Sequence, residues 1–286
     1  EYLRGRAPNP CIWCNDRVKF GALLEKAREL DAQYVATGHY AQVAYDPQRG
    51  RYLLKKAVDG AKDQTYALYG LTQVQLAHVL FPLGGYTKEE VRAMARERGL
   101  PVASKGESQD ICFIPDRDLK GFLERRAPGA ARPGPIVNRK GERLGTHQGA
   151  IRYTVGQRKG LGIAAGEPLY VLEVDAARNR LVVGTREELY GHALEVEALN
   201  WVAVPGLEGP VEAQAKIRYR APEAPVLIEP LTADRARVRF REPQRAITPG
   251  QAIVFYQEDR VLGGGVIARP LPASHETPPV PATSEV

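Results

Sequence analysis

Between residues 18 and 30 the apolar side chains Val18, Phe20, Leu23, Leu24, Ala27 and Leu30 recur at helical spacing, which predicts a helix with one buried face. The β-prone run Tyr34, Val35, Ala36, Thr37 ends at Gly38 and His39, as a strand feeding a loop would. Thr87 and Glu90 bracket a capping box, so a helix is expected from there to about Arg98, stopped by Gly99 and Pro101. Asp116 is expected to cap another helix through Phe122 and Leu123.

The texture changes near Pro128. Pro128-Gly129, Pro133-Gly134-Pro135 and Gly141 are loop punctuation, and short alternating runs follow. Residues 169–174 and 181–185 read as the two arms of a hairpin. Further strands are expected at 194–203, 211–219, 226–231, 236–241, 252–257 and 261–267, a spacing that suits small barrels or sandwiches. The fold class is α/β plus β. The expected units are 1–126, a central mostly-β unit 127–204, and a β unit 205–270. The tail 271–286 is Pro-rich and without apolar periodicity, and is expected to be disordered. No repeat of fixed period is present.

Composition narrows the class. The chain has 286 residues, 43% hydrophobic and 26% charged, enough for more than one core. No apolar run reaches 18 residues, so no membrane helix is expected. The first residues carry neither Met nor a signal-peptide pattern, so the sequence is expected to begin mid-protein. A net charge of +6 suits a polyanionic partner without demanding one. Three cysteines are an odd number in a chain too large to need staples, which favours a reducing cytoplasm over a disulfide framework.

The cysteines are also the main candidate chemistry. Cys11 and Cys14 form a Cys-x-x-Cys pair ahead of the first expected helix, where helix-end dipoles can lower a thiol pKa. The same pair also suits two small buried hydrophobes or, less well, a zinc site lacking its other ligands. Cys112 lies where a polar stretch meets Phe113 and Ile114. Three thiols also suit an iron–sulfur cluster with one iron left open. Lys62, Asp63 and Gln64 form a polar cluster, read as phosphate and base contacts or as a solvated loop. The glycine-rich stretch around Arg152, Arg158 and Lys159 suits nucleic-acid backbone or a charged surface. Lys216, Arg218 and Arg220 are expected on one face of a strand, with Tyr219 packed inward. Gly263-Gly264-Gly265 has no phosphate-loop context, and no Walker, dinucleotide-binding, Gly-x-Ser-x-Gly or His-Glu-x-x-His motif occurs.

Several segments, in order, resemble one family. They are Asn-Pro-x-x-x-Cys-Asn with Lys-Phe at 9–20, Ala-Thr-Gly-His-Tyr at 36–40 and Lys-Asp-Gln-x-Tyr at 62–66. Glu-Ser-Gln-Asp-Ile-Cys-Phe-Ile at 107–114 and Tyr-Thr-Val-Gly-Gln-Arg-Lys-Gly-Leu-Gly at 153–162 follow. The chain is similar in these to the bacterial tRNA-specific 2-thiouridylases, MnmA or TrmU, over nearly its whole length. The resemblance implies the C-terminal part of a PP-loop (adenine nucleotide α-hydrolase-like) domain, a small central domain and a C-terminal β-barrel. It implies ATP-dependent 2-thiolation of the tRNA wobble uridine through an adenylated uridine and a cysteine persulfide. ATP with magnesium, tRNA and a sulfur-donor protein are the implied cofactor and partners of a cytoplasmic monomer.

Residue by residue, the resemblance implies Cys112 as persulfide carrier and Cys14 as its partner in a transient Cys14–Cys112 disulfide. Asn9, Pro10 and Cys11 match the target-base segment, and Gly38 an ATP contact. His39, Lys62, Asp63, Gln64, Arg218, Tyr219 and Gln251 match tRNA contacts. Two departures stand out. The family's Ser-Gly-Gly-x-Asp-Ser phosphate loop, expected upstream of Glu1, is not among these residues, so the chain alone is expected to bind ATP poorly. Many members carry Asp where this chain has Cys11, which keeps open a cluster held by Cys11, Cys14 and Cys112. The competing classes are a non-catalytic RNA-binding module and a disulfide oxidoreductase using Cys11 and Cys14.

Overall fold

A computed structural model describes residues 1–104, 111–114, 116 and 118–272. Helix α1 (Pro10–Trp13) starts at Asn9, whose side chain accepts the Cys11 N–H at 3.0 Å, with Pro10 at the first helical position. It runs through a π-helical stretch, Cys14–Ala22, into α2 (Leu23–Glu29). The helix thus begins well before residue 18. Of the expected apolar stripe, Phe20 and Leu24 are buried, but Val18, Leu23 and Leu30 are exposed. Val18 lies within the π-helical stretch, whose i→i+5 bonding shifts it off the face that a 3.6-residue period assigns it.

Strand β1 (Val35–Ala36) precedes a hairpin of β2 (Gln42–Asp46) and β3 (Arg51–Lys55). Next come α3 (Gln73–Leu76) and β4 (Val79–Leu80), which pairs in parallel with β1. Helix α4 (Lys88–Glu97) opens on the expected Thr87/Glu90 capping box. Helix α5 (Leu119–Arg126) is capped by Asp118, which accepts from the Gly121 N–H. Asp116, the expected cap, lies two residues too early and instead accepts from the Asp118 N–H.

The central unit is a four-stranded sheet. It comprises β5 (Gly134–Val137), β6 (Arg143–His147), β7 (Tyr170–Asp175) and β8 (Arg180–Gly184), in the order β6-β5-β8-β7. The β7–β8 hairpin is the one expected, and Ile136, Val171, Leu181 and Val183 form its core.

Six strands then make a closed barrel. They are β9 (Tyr190–Trp201), β10 (Val211–Lys216), β11 (Ala224–Thr232), β12 (Arg235–Arg245), β13 (Ala252–Gln257) and β14 (Arg260–Leu271). Their order is β13-β10-β11-β12-β9-β14, and β13 pairs with β14 to close it. Two expected boundaries move. Residues 190–201, placed with the central unit, form a barrel wall because β9 pairs with β12 and β14. Leu271, placed in the tail, pairs with Ala193. The rest of the expected tail, 273–286, lies outside the described residues.

Strand β13 explains how the first part docks. All of Ala252–Tyr256 is buried. Ile253 and Phe255 point into the barrel core, with Val196, Ile228 and Val238. Val254 and Tyr256, on the opposite face, pack against Phe20, Leu54, Tyr66 and Leu76. Strand β3 also meets β14, so the β2–β3 hairpin extends the barrel sheet. Gly264 belongs to this junction: a Cβ there would lie 2.6 Å from the Tyr69 ring and 2.7 Å from the Ile253 carbonyl. The triple glycine is therefore a packing device.

Candidate functional site

The three cysteines converge. Cys11 is exposed, Cys14 half-buried and Cys112 exposed, and all three are free thiols. Burial raises the Cys11 thiol pKa, and the thiolates of Cys112 and Cys14 are near enough to raise it further. The Lys19 ammonium acts in the opposite sense. A thiolate on one sulfur therefore disfavours a second on Cys11, which suits sequential use of the charges. Lys19 stands one π-helical turn from Cys14, a relation that a 3.6-residue period hides.

His39 is 9% exposed, between the rings of Phe20 and Phe81 at 5.7 and 5.8 Å. Its Nδ1 is 2.7 Å from the Thr37 hydroxyl. Burial, helped by the Lys19 charge, pushes its pKa down to about 4, so it is neutral at physiological pH. Gly38 has no steric need to be glycine, since a Cβ would meet only Leu83 at 3.5 Å.

The polar cluster at 62–64 is largely occupied by the protein itself. The Asp63 carboxylate accepts from the Ala57 N–H at 3.1 Å and the Thr65 hydroxyl at 2.6 Å. Gln64 and Tyr40 exchange two bonds: the Tyr40 N–H to the Gln64 side chain and the Gln64 N–H to the Tyr40 carbonyl, each 2.9 Å. These bonds fix the segment after His39.

The expected basic strand at 216–220 needs correcting. Strand β10 ends at Lys216, and residues 217–220 form a turn. Ile217 takes the inward position, whereas Tyr219 is 41% exposed with its ring 6.0 Å from Tyr66. Lys216 faces Glu223 at 3.7 Å. The Arg218 guanidinium donates to the carbonyls of Arg245 and Ala246, and burial lowers its pKa. An alternating pattern cannot reveal this, because the polar partners are backbone atoms of another strand. Gln251 likewise donates to the Ala7 carbonyl, just ahead of Asn9.

In the basic loop, Arg152 pairs with Glu124 at 2.5 Å, while Arg158 and Lys159 are exposed. Sequence reasoning passed over Trp13, which is 46% exposed beside Cys14 with Arg17 stacked on it. Its neighbours in the Cys-x-x-Cys motif were the only available signal. Among the described residues, no group of three or more His, Cys, Asp or Glu is arranged to hold a metal ion. No helix among the described residues is long and apolar enough to cross a membrane.

Comparison with known proteins matches three consecutive family profiles. Residues 1–116 match the tRNA methyl transferase HUP domain, 120–185 the tRNA methyl transferase PRC-barrel domain, and 191–267 the aminomethyltransferase beta-barrel domain. Among similar proteins, tRNA-specific 2-thiouridylase MnmA 1 of Caldanaerobacter subterraneus subsp. tengcongensis is 54% identical over 269 residues. That match covers 94% of this chain and 74% of the relative. The tRNA-specific 2-thiouridylase MnmA of Symbiobacterium thermophilum is 55% identical over 270 residues, 94% of this chain and 69% of the relative. MnmA 2 of Thermoanaerobacter sp. is 52% identical over 271 residues, 95% and 74%.

Proposed function

The chain belongs to the tRNA-specific 2-thiouridylase family, a tRNA-modifying sulfurtransferase family, and from that membership we propose how its residues divide the reaction. The substrate is a wobble uridine whose C2 oxygen has been adenylated by ATP. Asn9, Pro10 and Cys11 line its base. Gly38 leaves room for the nucleotide, consistent with a Cβ-sized space that packing does not require.

Cys112 carries the persulfide. Its terminal sulfur attacks C2 as a thiolate, and AMP departs with the C2–O electron pair. The uridine is then joined through sulfur to Cys112 by an S–S bond. The Cys14 thiolate attacks the Cys112 Sγ; that S–S bond breaks, and 2-thiouridine keeps the transferred sulfur with its electron pair. The product on the protein is a Cys14–Cys112 disulfide; external thiols must reduce it, each giving up one electron and one proton, before the Cys112 thiol can be reloaded by a sulfur-donor protein. Cys11 completes the pocket without touching sulfur.

The observation that supports this division is the approach of Cys112, 98 positions beyond Cys14 in the chain, to the Cys11–Cys14 pair, near enough to act on the Cys11 thiol. For tRNA contact, Tyr219, Arg158 and Lys159 are offered by exposure, and Lys62 by its loop. His39, Asp63, Gln64, Arg218 and Gln251 shape the surface on which those contacts stand.

The test is thiolation of a tRNA carrying an unmodified wobble uridine by the intact enzyme, read by nucleoside mass spectrometry. The expected product is 2-thiouridine, formed only with ATP and a sulfur donor. Formation without ATP would remove the adenylate, and modification at another base atom would remove the whole assignment.

A further inference from the structure

Trp13 is 46% exposed, although tryptophan gains more than most side chains from burial. It directly precedes Cys14 and closes the short helix that Asn9 caps. The Arg17 guanidinium lies over its ring, 4.1 Å from the centroid. Arg17 is itself exposed, and among the described residues its guanidinium makes no hydrogen bond or ion pair. The nearby Asp16 carboxyl feels its charge without pairing to it. The protein's own core thus uses neither the ring nor the cation.

A tryptophan backed by an unpaired arginine offers a π face and a positive charge together, the two features that single-stranded nucleic acid seeks. The position sets which nucleotide. A uridine that reaches the thiols must leave its stack, and the base next to it then loses a stacking partner. We propose that Trp13, held from one side by Arg17, is the platform on which a nucleobase flanking the target uridine stacks during the reaction. This rests on the tRNA-thiolation reading above. It adds a base-positioning role that neither cysteine can supply.

The experiment compares the intact enzyme with Trp13→Leu and Trp13→Phe, titrating each with unmodified substrate tRNA and following intrinsic fluorescence. The second tryptophan, Trp201, is stacked on Phe255 in the barrel and serves as an internal reference. The expected result is a tRNA-dependent quench that disappears in Trp13→Leu, with tRNA affinity lowered roughly ten-fold in that variant and mostly kept in Trp13→Phe. Because the side chain is exposed, the melting temperature should not change. If the parent binds and thiolates tRNA but shows no quench, and Trp13→Leu binds equally well, this proposal falls and the thiolation reading stands. If Trp13→Leu binds tRNA normally but accepts sulfur from a donor protein more slowly, the face belongs to a protein and the base assignment is overturned. If the parent fails to bind tRNA, both fall.

Discussion

The side-chain amide of Gln251 donates to the carbonyl of Ala7, joining residues 244 positions apart. The Ala7 N–H in turn donates to the Pro249 carbonyl at 2.9 Å. A loop of the barrel thereby clamps the segment that leads into Asn9 and the first two thiols. Gln251→Ala should lower the melting temperature by about 2 °C, about 1 kcal/mol for a lost part-buried bond, and slow thiolation together with it. A contact that served tRNA alone would leave the melting temperature unchanged, so differential scanning fluorimetry without tRNA separates the two roles.

Arg218 makes a similar case. Its guanidinium holds two carbonyls at the end of β12, so Arg218→Ala should destabilise by about 1–3 kcal/mol. The salt dependence of tRNA binding should stay as in the parent. A slope of log K against log salt reduced by about 0.7–0.9 would instead mean a lost phosphate contact.

Some features are legible from sequence because their cause is local. The Thr87 capping box, the β7–β8 hairpin and the barrel strands need only neighbouring residues to declare them. The Cys-x-x-Cys pair declares chemistry for the same reason, but not its meeting with Cys112. What sequence conceals depends on distant partners. The apolar run of β13 does not say that its two faces serve two cores. The motif at 62–64 does not say that Asp63 and Gln64 also bond to Ala57, Thr65 and Tyr40. The π-helical stretch at 14–22, in which the Leu23 N–H reaches back to the Val18 carbonyl, is likewise invisible to a 3.6-residue period.

His39 gives a pH signature. Its folded pKa is about 4, below the ordinary 6.5, so the unfolded chain binds the extra proton between those values. Stability is therefore undiminished above pH 6.5 and falls as pH drops toward 4, by on the order of 3 kcal/mol in full. His39→Gln should flatten the loss of melting temperature between pH 6.5 and 4. An unchanged pH profile would show that His39 is not held neutral.

The thiols should work without iron. Protein purified anaerobically should carry well under one iron per chain, and chelator treatment should leave thiolation intact. If Cys11 lines the base pocket as proposed, Cys11→Asp should remain active in air. Stoichiometric iron that is lost in Cys11→Ser along with activity would restore the cluster.

The most direct test of the thiol assignment is a single turnover with persulfide-loaded enzyme, followed by intact-protein mass and by the tRNA product. The parent should start one sulfur atom heavier, lose that atom as 2-thiouridine appears, and end with Cys14 joined to Cys112. Cys112→Ser should never gain the sulfur. Cys14→Ser should gain it but leave the uridine attached to Cys112. Both variants should still adenylate the tRNA. Thiolation at the parental rate by Cys112→Ser would contradict the account.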